Sequence, residues 1–158
     1  MKEELITILI SASPVLEIRG AIPLAMIQFD FPIWKAYLFG FLGNMLPVIP
    51  VLFFLKKFSE LLMHKWYFFN RLMIWLQERF QKKHRDHFES FQWSFLALFL
   101  FVAVPLPFTG AWSGIAAAHI LGIPFWRAVL AITLGIIVSG LLVILLTHSG
   151  ISIFSFLQ

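Results

Sequence analysis

The sequence predicts an all-α integral membrane protein. Of its 158 residues, 60% are hydrophobic and only 13% are charged, whereas soluble domains carry about 25% charged residues. The chain contains no cysteine, which excludes disulfides, thiolate nucleophiles and cysteine metal ligands. The few charges do not form a basic groove, so we expect membrane lipids as partners and no nucleic acid.

Two stretches are long enough to cross a membrane. Residues 36–55 and 128–147 are each 20 residues long and uncharged, which corresponds to about 30 Å of helix and matches the hydrocarbon core. The apolar runs 5–16 and 93–104 have 12 residues each, which is only about 18 Å as helix. These two runs reach the membrane midplane and no further.

Prolines interrupt both short runs. The first meets Pro14 and Pro23, and the second meets Pro105 and Pro107, where a missing N–H and a steric clash end a helix. Residues 90–126 carry no Lys, Arg, Asp or Glu, and a straight helix of that length is too long for a bilayer. We therefore predict two re-entrant helical hairpins. The alternative is that residues 93–112 form an ordinary spanning helix followed by a loop.

The positive charge excess lies in the middle of the chain. Residues 56–89 hold eight Lys or Arg and four acidic residues, and such segments stay in the cytoplasm during insertion. The apolar residues of this segment recur every three or four positions, which predicts an amphipathic helix at the interface. A solvated linker with one apolar face is the alternative.

The two halves of the chain share a motif. Gly20-Ala21 precedes P-I-W-K-A at residues 32–36, and Gly110-Ala111 precedes P-F-W-R-A at residues 124–128. A glycine follows each Lys or Arg by eight residues, which indicates an internal duplication. A cytoplasmic linker between the halves makes the two repeats inverted, an architecture typical of transporters. The predicted organisation is one membrane domain, residues 1–158, with repeat 1 at 1–55, the linker at 56–90 and repeat 2 at 91–158.

Two sequence motifs carry a family resemblance. E-I-R-G-A-I-P at residues 17–23 and P-L-P-F-T-G-A-W-S-G at residues 105–114 resemble the putative small multidrug export protein family of prokaryotic membranes, over essentially the whole chain. The chain is more distantly similar to the DedA, or VTT-domain, superfamily, which has opposed re-entrant hairpins and is linked to lipid scrambling and polyprenyl-phosphate transport. The resemblance implies proton-coupled transport. Members of the wider superfamily usually carry an arginine after the second tip, and residues 107–110 contain none.

Glu17 and Arg19 are the candidate proton-coupling residues. At membrane depth an unpaired charge costs several kcal/mol, so such residues are functional or neutralise each other. The alternatives are a structural ion pair and a tip exposed at the headgroups. The predicted substrate-lining tip residues are Gly20, Pro23, Pro105, Pro107, Thr109 and Gly110, although a tight turn satisfied internally would use the same residues. Asn44 is predicted to hydrogen-bond between helices.

These observations favour a proton-coupled exporter of small amphipathic or cationic compounds in the prokaryotic inner membrane. A lipid or polyprenyl-phosphate flippase or scramblase is the alternative, and a membrane scaffold is a third class. We expect no enzyme, because the motif around Ser113 lacks the first glycine of an intramembrane serine protease motif. We also expect no cofactor or metal. A homodimer is predicted because the polar tips need more surrounding protein than one thin bundle supplies.

Overall fold

The computed structural model describes residues 2–65, 89–106 and 109–156, and the regular structure in these ranges is entirely α-helical. The helices are α1 (Lys2–Ala12), α2 (Glu17–Ile27), α3 (Ile33–Met45), α4 (Val48–Lys65), α5 (Glu89–Ala103), α6 (Ala111–Ile120) and α7 (Phe125–Phe156). The all-α prediction is therefore confirmed for the described ranges. The central part of the predicted linker, residues 66–88, and Pro107 lie outside the described residues.

Two pairs of short helices form helical hairpins. In the first hairpin, α1 and α2 pack together and residues 13–16 connect them; in the second, α5 and α6 pack together across residues 104–110. The longest of these helices has 15 residues, about 22 Å at 1.5 Å per residue. Each hairpin helix is therefore shorter than a hydrocarbon core, which is about 30 Å thick. The first helix of each hairpin ends two residues before Pro14 or Pro105, because a residue preceding proline avoids the helical conformation.

Two longer apolar segments, Ile33–Lys57 and Phe125–Gly150, have the length and composition of membrane spans. They contain the predicted spans 36–55 and 128–147. The sequence predicts one helix for the first span, but the structure bends it between α3 and α4, because Pro47 has no N–H for the Gly43 carbonyl. Leu46 N–H lies 3.1 Å from the Leu42 oxygen and 3.3 Å from the Gly43 oxygen.

The first hairpin and α3 begin on the same side of the molecule. Lys35, near the start of α3, forms an ion pair with Glu4, near the start of α1, with 2.8 Å between Nζ and Oε1. Further along, Ser11 of α1 donates a hydrogen bond to the Gly40 carbonyl of α3. The two helices therefore run in the same direction, and α2 returns the chain to the side where α1 began.

Two glycines seat the first helix of each hairpin against a long helix. A β-carbon on Gly43 would overlap the Ile8 carbonyl and lie 2.8 Å from Cβ of Ser11. A β-carbon on Gly135 would lie 3.1 Å from the Phe99 oxygen and 2.6 Å from Cβ of Val102. Gly43 and Gly135 are the glycines of the shared sequence motif, so they make matching contacts in the two halves.

The core lies where the second hairpin and α2 meet the long helices. Its largest apolar members are Ile18, Ile22, Val48, Leu98, Val102, Ile115, Ile132 and Ile136. The outer faces of α4 and α7 expose bulky residues such as Phe53, Phe54, Leu130 and Leu145. An apolar surface of this extent suits lipid rather than water. Trp34 and Trp126 are exposed at the starts of α3 and α7, where tryptophans meet the membrane interface.

Candidate functional site

Four helix ends meet between the two hairpins. The end of α1 and the beginning of α2 contact the tip of the second hairpin through hydrogen bonds that join residues 12–19 to residues 106–112. Helix ends carry backbone groups without intrahelical partners. The contact therefore concentrates free N–H and C=O groups, together with two charged side chains, at one place.

Glu17 is the acidic residue of this contact. Its side chain is buried, with 7% of the residue exposed, and its Oε1 accepts a hydrogen bond of 3.2 Å from the Trp112 backbone N–H. The Glu17 backbone has a φ of 51°, a left-handed conformation that costs a non-glycine residue about 1–2 kcal/mol. Asp and Asn tolerate this conformation because their short side chains hydrogen-bond to nearby backbone, but the longer Glu side chain does not do so readily. The hydrogen bond of Glu17 to the second hairpin therefore compensates for the strain.

The partner of Glu17 is the N-terminus of α6. Gly110 is the N-cap residue of this helix and offers no side-chain hydrogen bond. The Glu17 carboxylate therefore caps α6 from the other hairpin. Such a carboxylate interacts favourably with the positive end of the helix dipole, by about 0.3–2 kcal/mol. A β-carbon on Gly110 would overlap Oε2 of Glu17, so this contact requires glycine for space.

Arg19 binds the neighbouring part of the same tip. Its guanidinium donates to the Leu106 carbonyl and, over 3.1 Å, to the Thr109 hydroxyl oxygen. Thr109 in turn donates to the Val104 carbonyl at 2.8 Å. Arg19 Nε is buried and has no hydrogen-bond partner among the described residues. Arg19 thus binds the connection 104–110 through one backbone carbonyl and one hydroxyl oxygen.

Glu17 and Arg19 act on each other through their charges rather than through a shared hydrogen bond. Within the described part of the chain, the hydrogen bonds of both side chains go to the second hairpin. Arg19 nevertheless attracts the Glu17 carboxylate electrostatically. The sequence analysis predicted that Glu17 and Arg19 interact with each other. In the structure, both side chains instead hydrogen-bond to the tip of the second hairpin.

The other predicted residues divide between this contact and the surrounding helices. Pro105 lies in the connection 104–110, whereas Gly20 and Pro23 lie inside α2 and not in the turn of the first hairpin. A β-carbon on Gly20 would meet the Leu16 side chain. Asn44 is fully buried near the bend after α3, and its Oδ1 has no hydrogen-bond partner within the described ranges.

Trp112 is the residue that the sequence analysis did not assign to the site. Besides its backbone bond to Glu17, its indole Nε1–H donates to the Ala12 carbonyl at 3.1 Å. Ala12 is the last residue of α1, so the indole satisfies a free carbonyl at that helix end. A tryptophan two residues after the glycine of an apolar turn was the available signal, because a buried indole N–H needs an acceptor.

The described residues contain no group of three His, Asp or Glu side chains that would hold a metal ion. What the site offers is one carboxylate, one guanidinium, one hydroxyl and several backbone groups in a largely apolar setting. Chemical groups of these kinds can exchange a proton and bind charged or polar groups.

The comparisons with known proteins agree with a membrane transporter. The family model described as "Putative small multi-drug export protein" matches residues 17–142. This range begins at Glu17, directly after the turn of the first hairpin, and includes the tip of the second hairpin and most of the two long apolar segments. Comparison with curated proteins and with solved structures gives no match. The family description names a putative small exporter, and the two long apolar segments fit a membrane location. The chain belongs to the putative small multi-drug export protein family.

Proposed function

We propose that the chain is a proton-coupled exporter of small amphipathic or cationic compounds, in which Glu17 carries the proton and Arg19 balances its charge. The observation that carries this proposal is the buried Glu17 carboxylate at the contact between the two hairpins. An ionisable residue at membrane depth marks an ion or substrate pathway by default.

The packing of the hairpins supports a location of the site near the membrane midplane. Gly43 is the eleventh residue of the segment Ile33–Lys57, and Gly135 is the eleventh of Phe125–Gly150. Each lies about 15 Å from the start of its segment at 1.5 Å per residue, which is half of a 30 Å core. Ser11 and Val102, close to the ends of α1 and α5, touch these two glycines. Hairpins that turn at this depth are re-entrant.

Matching contacts in the two halves support the inverted duplication. The contacts of Gly43 with Ile8 correspond to those of Gly135 with Phe99. Arg19 and Thr109 each precede a Gly-Ala pair of the shared motif, and they contact each other. In an arrangement with two-fold symmetry, a residue close to the axis contacts the equivalent residue of the other copy. The contact between Arg19 and Thr109 has this form. The site would then lie at the interface of two inverted repeats, where transporters of this architecture bind substrate.

The chemistry of Glu17 provides a mechanism for exchange. The Glu17 carboxylate can take up a proton or attract an organic cation, and each of them adds one positive charge beside Arg19. An apolar site does not hold both added charges at once, so the proton and the cation compete. Competition between the two for one acid couples the export of a cation to the entry of a proton. Val15, Leu16 and Leu106 are exposed apolar residues beside the contact, so an amphipathic substrate can reach it from the lipid.

Transport by reconstituted protein tests the proposal. The purified protein in liposomes with an imposed pH gradient should move one or more members of a panel of fluorescent organic cations. Glu17→Gln should abolish this proton-driven flux, since an amide keeps the shape but does not titrate. Glu3→Gln, on the exposed side of α1, is the matched control and should leave the flux unchanged. Equal flux in the Glu17→Gln variant would exclude the proposed coupling.

A lipid flippase is the second candidate, because exposed apolar residues border the polar contact and a headgroup could pass there. Labelled phospholipids in the same liposomes distinguish the two functions: a flippase moves lipid without a pH gradient, whereas an exporter moves the cation with one.

We further propose that the protein is a homodimer in the prokaryotic inner membrane, with residues 56–90 in the cytoplasm. The mass of the particle in nanodiscs tests the dimer.

A further inference from the structure

Trp112 is bound through both of its N–H groups to the two ends of one turn. Its backbone N–H donates to Glu17, the first residue of α2, and its indole N–H donates to the carbonyl of Ala12, the last residue of α1. The residues between these two partners, 13–16, form the turn of the first hairpin. One residue of the second hairpin therefore holds both ends of the turn of the first.

We propose that Trp112 is a positioning residue that latches the two hairpins together while Glu17 is ionised, and that protonation of Glu17 releases this latch. The inference rests on the proposed role of Glu17 as proton carrier. A carboxylate forms a charge-assisted bond to an N–H at a helix N-terminus. The protonated acid is a weaker acceptor and loses the attraction of the helix dipole.

The surroundings of Glu17 favour release over a small local adjustment. Glu17 holds a left-handed backbone conformation that relaxes when its side chain is freed. The carboxylate also fills the space beside Gly110. When it leaves the α6 amides, the first hairpin therefore loses its contact with Gly110 as well. The same movement strains the indole bond to Ala12, because only four residues separate Ala12 from Glu17.

Arg19 is the charged group that acts on the Glu17 carboxylate within the described part of the chain, and the α6 amides face it from the second hairpin. Helices α1, α3 and α7 also pack against α2. Their described titratable or charged residues are Lys2, Glu3, Glu4, Lys35, Tyr37, Arg127 and His148. Helix α6 carries His119 in its last turn, at the end away from Glu17. Glu4 and Lys35 pair with each other, and the Tyr37 hydroxyl donates to the Ile137 carbonyl at 3.2 Å. Glu17 is therefore the group whose titration this latch would follow.

Fluorescence quenching measures the latch without any substrate. The chain has no cysteine, so Val15→Cys places a single bimane label in the turn, where the native side chain is exposed. Tryptophan quenches bimane on contact, and Trp112→Phe in the same background gives the quenching due to the other five tryptophans. In liposomes, Trp112-dependent quenching should be strong at high pH and be lost on acidification. In Glu17→Gln it should be weak and independent of pH.

Quenching that stays constant across the pH range, or that changes equally in Glu17→Gln, would overturn the latch. If Trp112→Phe does not yield folded protein, the comparison of the labelled native protein with Glu17→Gln still decides, because both keep Trp112. Trp126→Phe is the matched control and should preserve the pH response. If the quenching responds to pH but the protein moves none of the tested compounds, the proposed transport is refuted and the latch is not. Flux that depends on Glu17 without a quenching response would refute the latch alone.

Discussion

The carboxylate of Glu17 occupies the space in which a β-carbon of residue 110 would lie, so Glu17 and Gly110 fit each other across the two hairpins. The backbone of Gly110, with φ 165° and ψ −161°, is extended and open to any residue. Space for the carboxylate, and not backbone freedom, is therefore what requires glycine at this position.

Gly110→Ala should displace Glu17 from the α6 amides. We expect a loss of about 1–3 kcal/mol of unfolding free energy, the cost of an unpaired buried polar group, and a loss of proton-driven flux. Thermal unfolding in detergent and liposome flux measure these effects. Gly150→Ala is the control, because nothing lies within 4 Å of its added β-carbon. A Gly110→Ala variant with native stability and flux would contradict the fit.

Arg19→Ala should destabilise the protein more than Glu17→Gln does. Removing the guanidinium takes one donor from the Leu106 carbonyl and one from the Thr109 hydroxyl oxygen, although each keeps a backbone N–H donor. The larger cost comes from the buried Glu17 carboxylate, which loses its balancing charge. Denaturation of both single variants and the double variant gives the ranking. Normal proton-driven pumping by the charge-free double variant would refute the coupling role of Glu17.

Gly43→Leu and Gly135→Leu should each destabilise the protein by about 1–3 kcal/mol, the usual cost of overpacking. The reason is the same in both halves: each glycine touches the backbone or Cβ of the first helix of its hairpin. Melting temperatures of the two variants beside Gly150→Ala provide the test. A large loss for one glycine and none for the other would argue against matching packing.

The pH dependence of stability should contain a contribution from Glu4. The Lys35 ammonium hydrogen-bonds the carboxyl and lowers the pKa of Glu4 from its ordinary value of 4.5 to about 2. Because the folded pKa is depressed, this stabilisation is fully present above pH 4.5 and is lost as the pH falls towards 2. Glu4→Gln should flatten the unfolding curve in that window, whereas Glu3→Gln should not. An unchanged slope in Glu4→Gln would contradict the ion pair.

The charges of the chain predict its orientation in the membrane. Single cysteines at positions 2 and 150 should react with an impermeant thiol reagent in intact cells, and a cysteine at position 70 should not, because the basic segment stays in the cytoplasm. Lysed cells provide the control in which all accessible positions react. Labelling of position 70 alone would reverse the predicted orientation.

Local signals in the sequence predicted the ends of α1 and α5, because proline acts on the residues beside it. The lengths of the apolar runs and the positions of Pro14 and Pro105 predict where α1 and α5 end. Pro47 is also visible in the sequence, but it lies within the uncharged stretch 36–55, which has the length of one span. For this reason the sequence analysis predicted one helix there and missed the bend. Glu17 and Arg19 stand out from sequence because charge is rare in apolar segments.

Long-range partners could not be predicted in the same way. The bonds of Glu17 with Trp112, and of Trp112 with Ala12, join residues 95 and 100 positions apart, and no local pattern encodes such a distance. Pro23 illustrates the opposite error. Pro23 is the seventh residue of α2 and lies inside the helix, where proline removes one backbone hydrogen bond. The chain continues as a helix through this residue, so a proline in an apolar run did not mark a turn here.

The contact between Arg19 and Thr109 explains where the likeness between the two halves stops. The shared motif begins at Gly20 and Gly110, and the residue before each glycine differs. Because these two residues touch, a strict copy would place two guanidinium groups against each other or leave Glu17 with no positive neighbour. Under the proposed inverted duplication, the two copies of this position are therefore expected to be chemically unlike, and their divergence would be a condition for packing the two hairpins of one chain against each other.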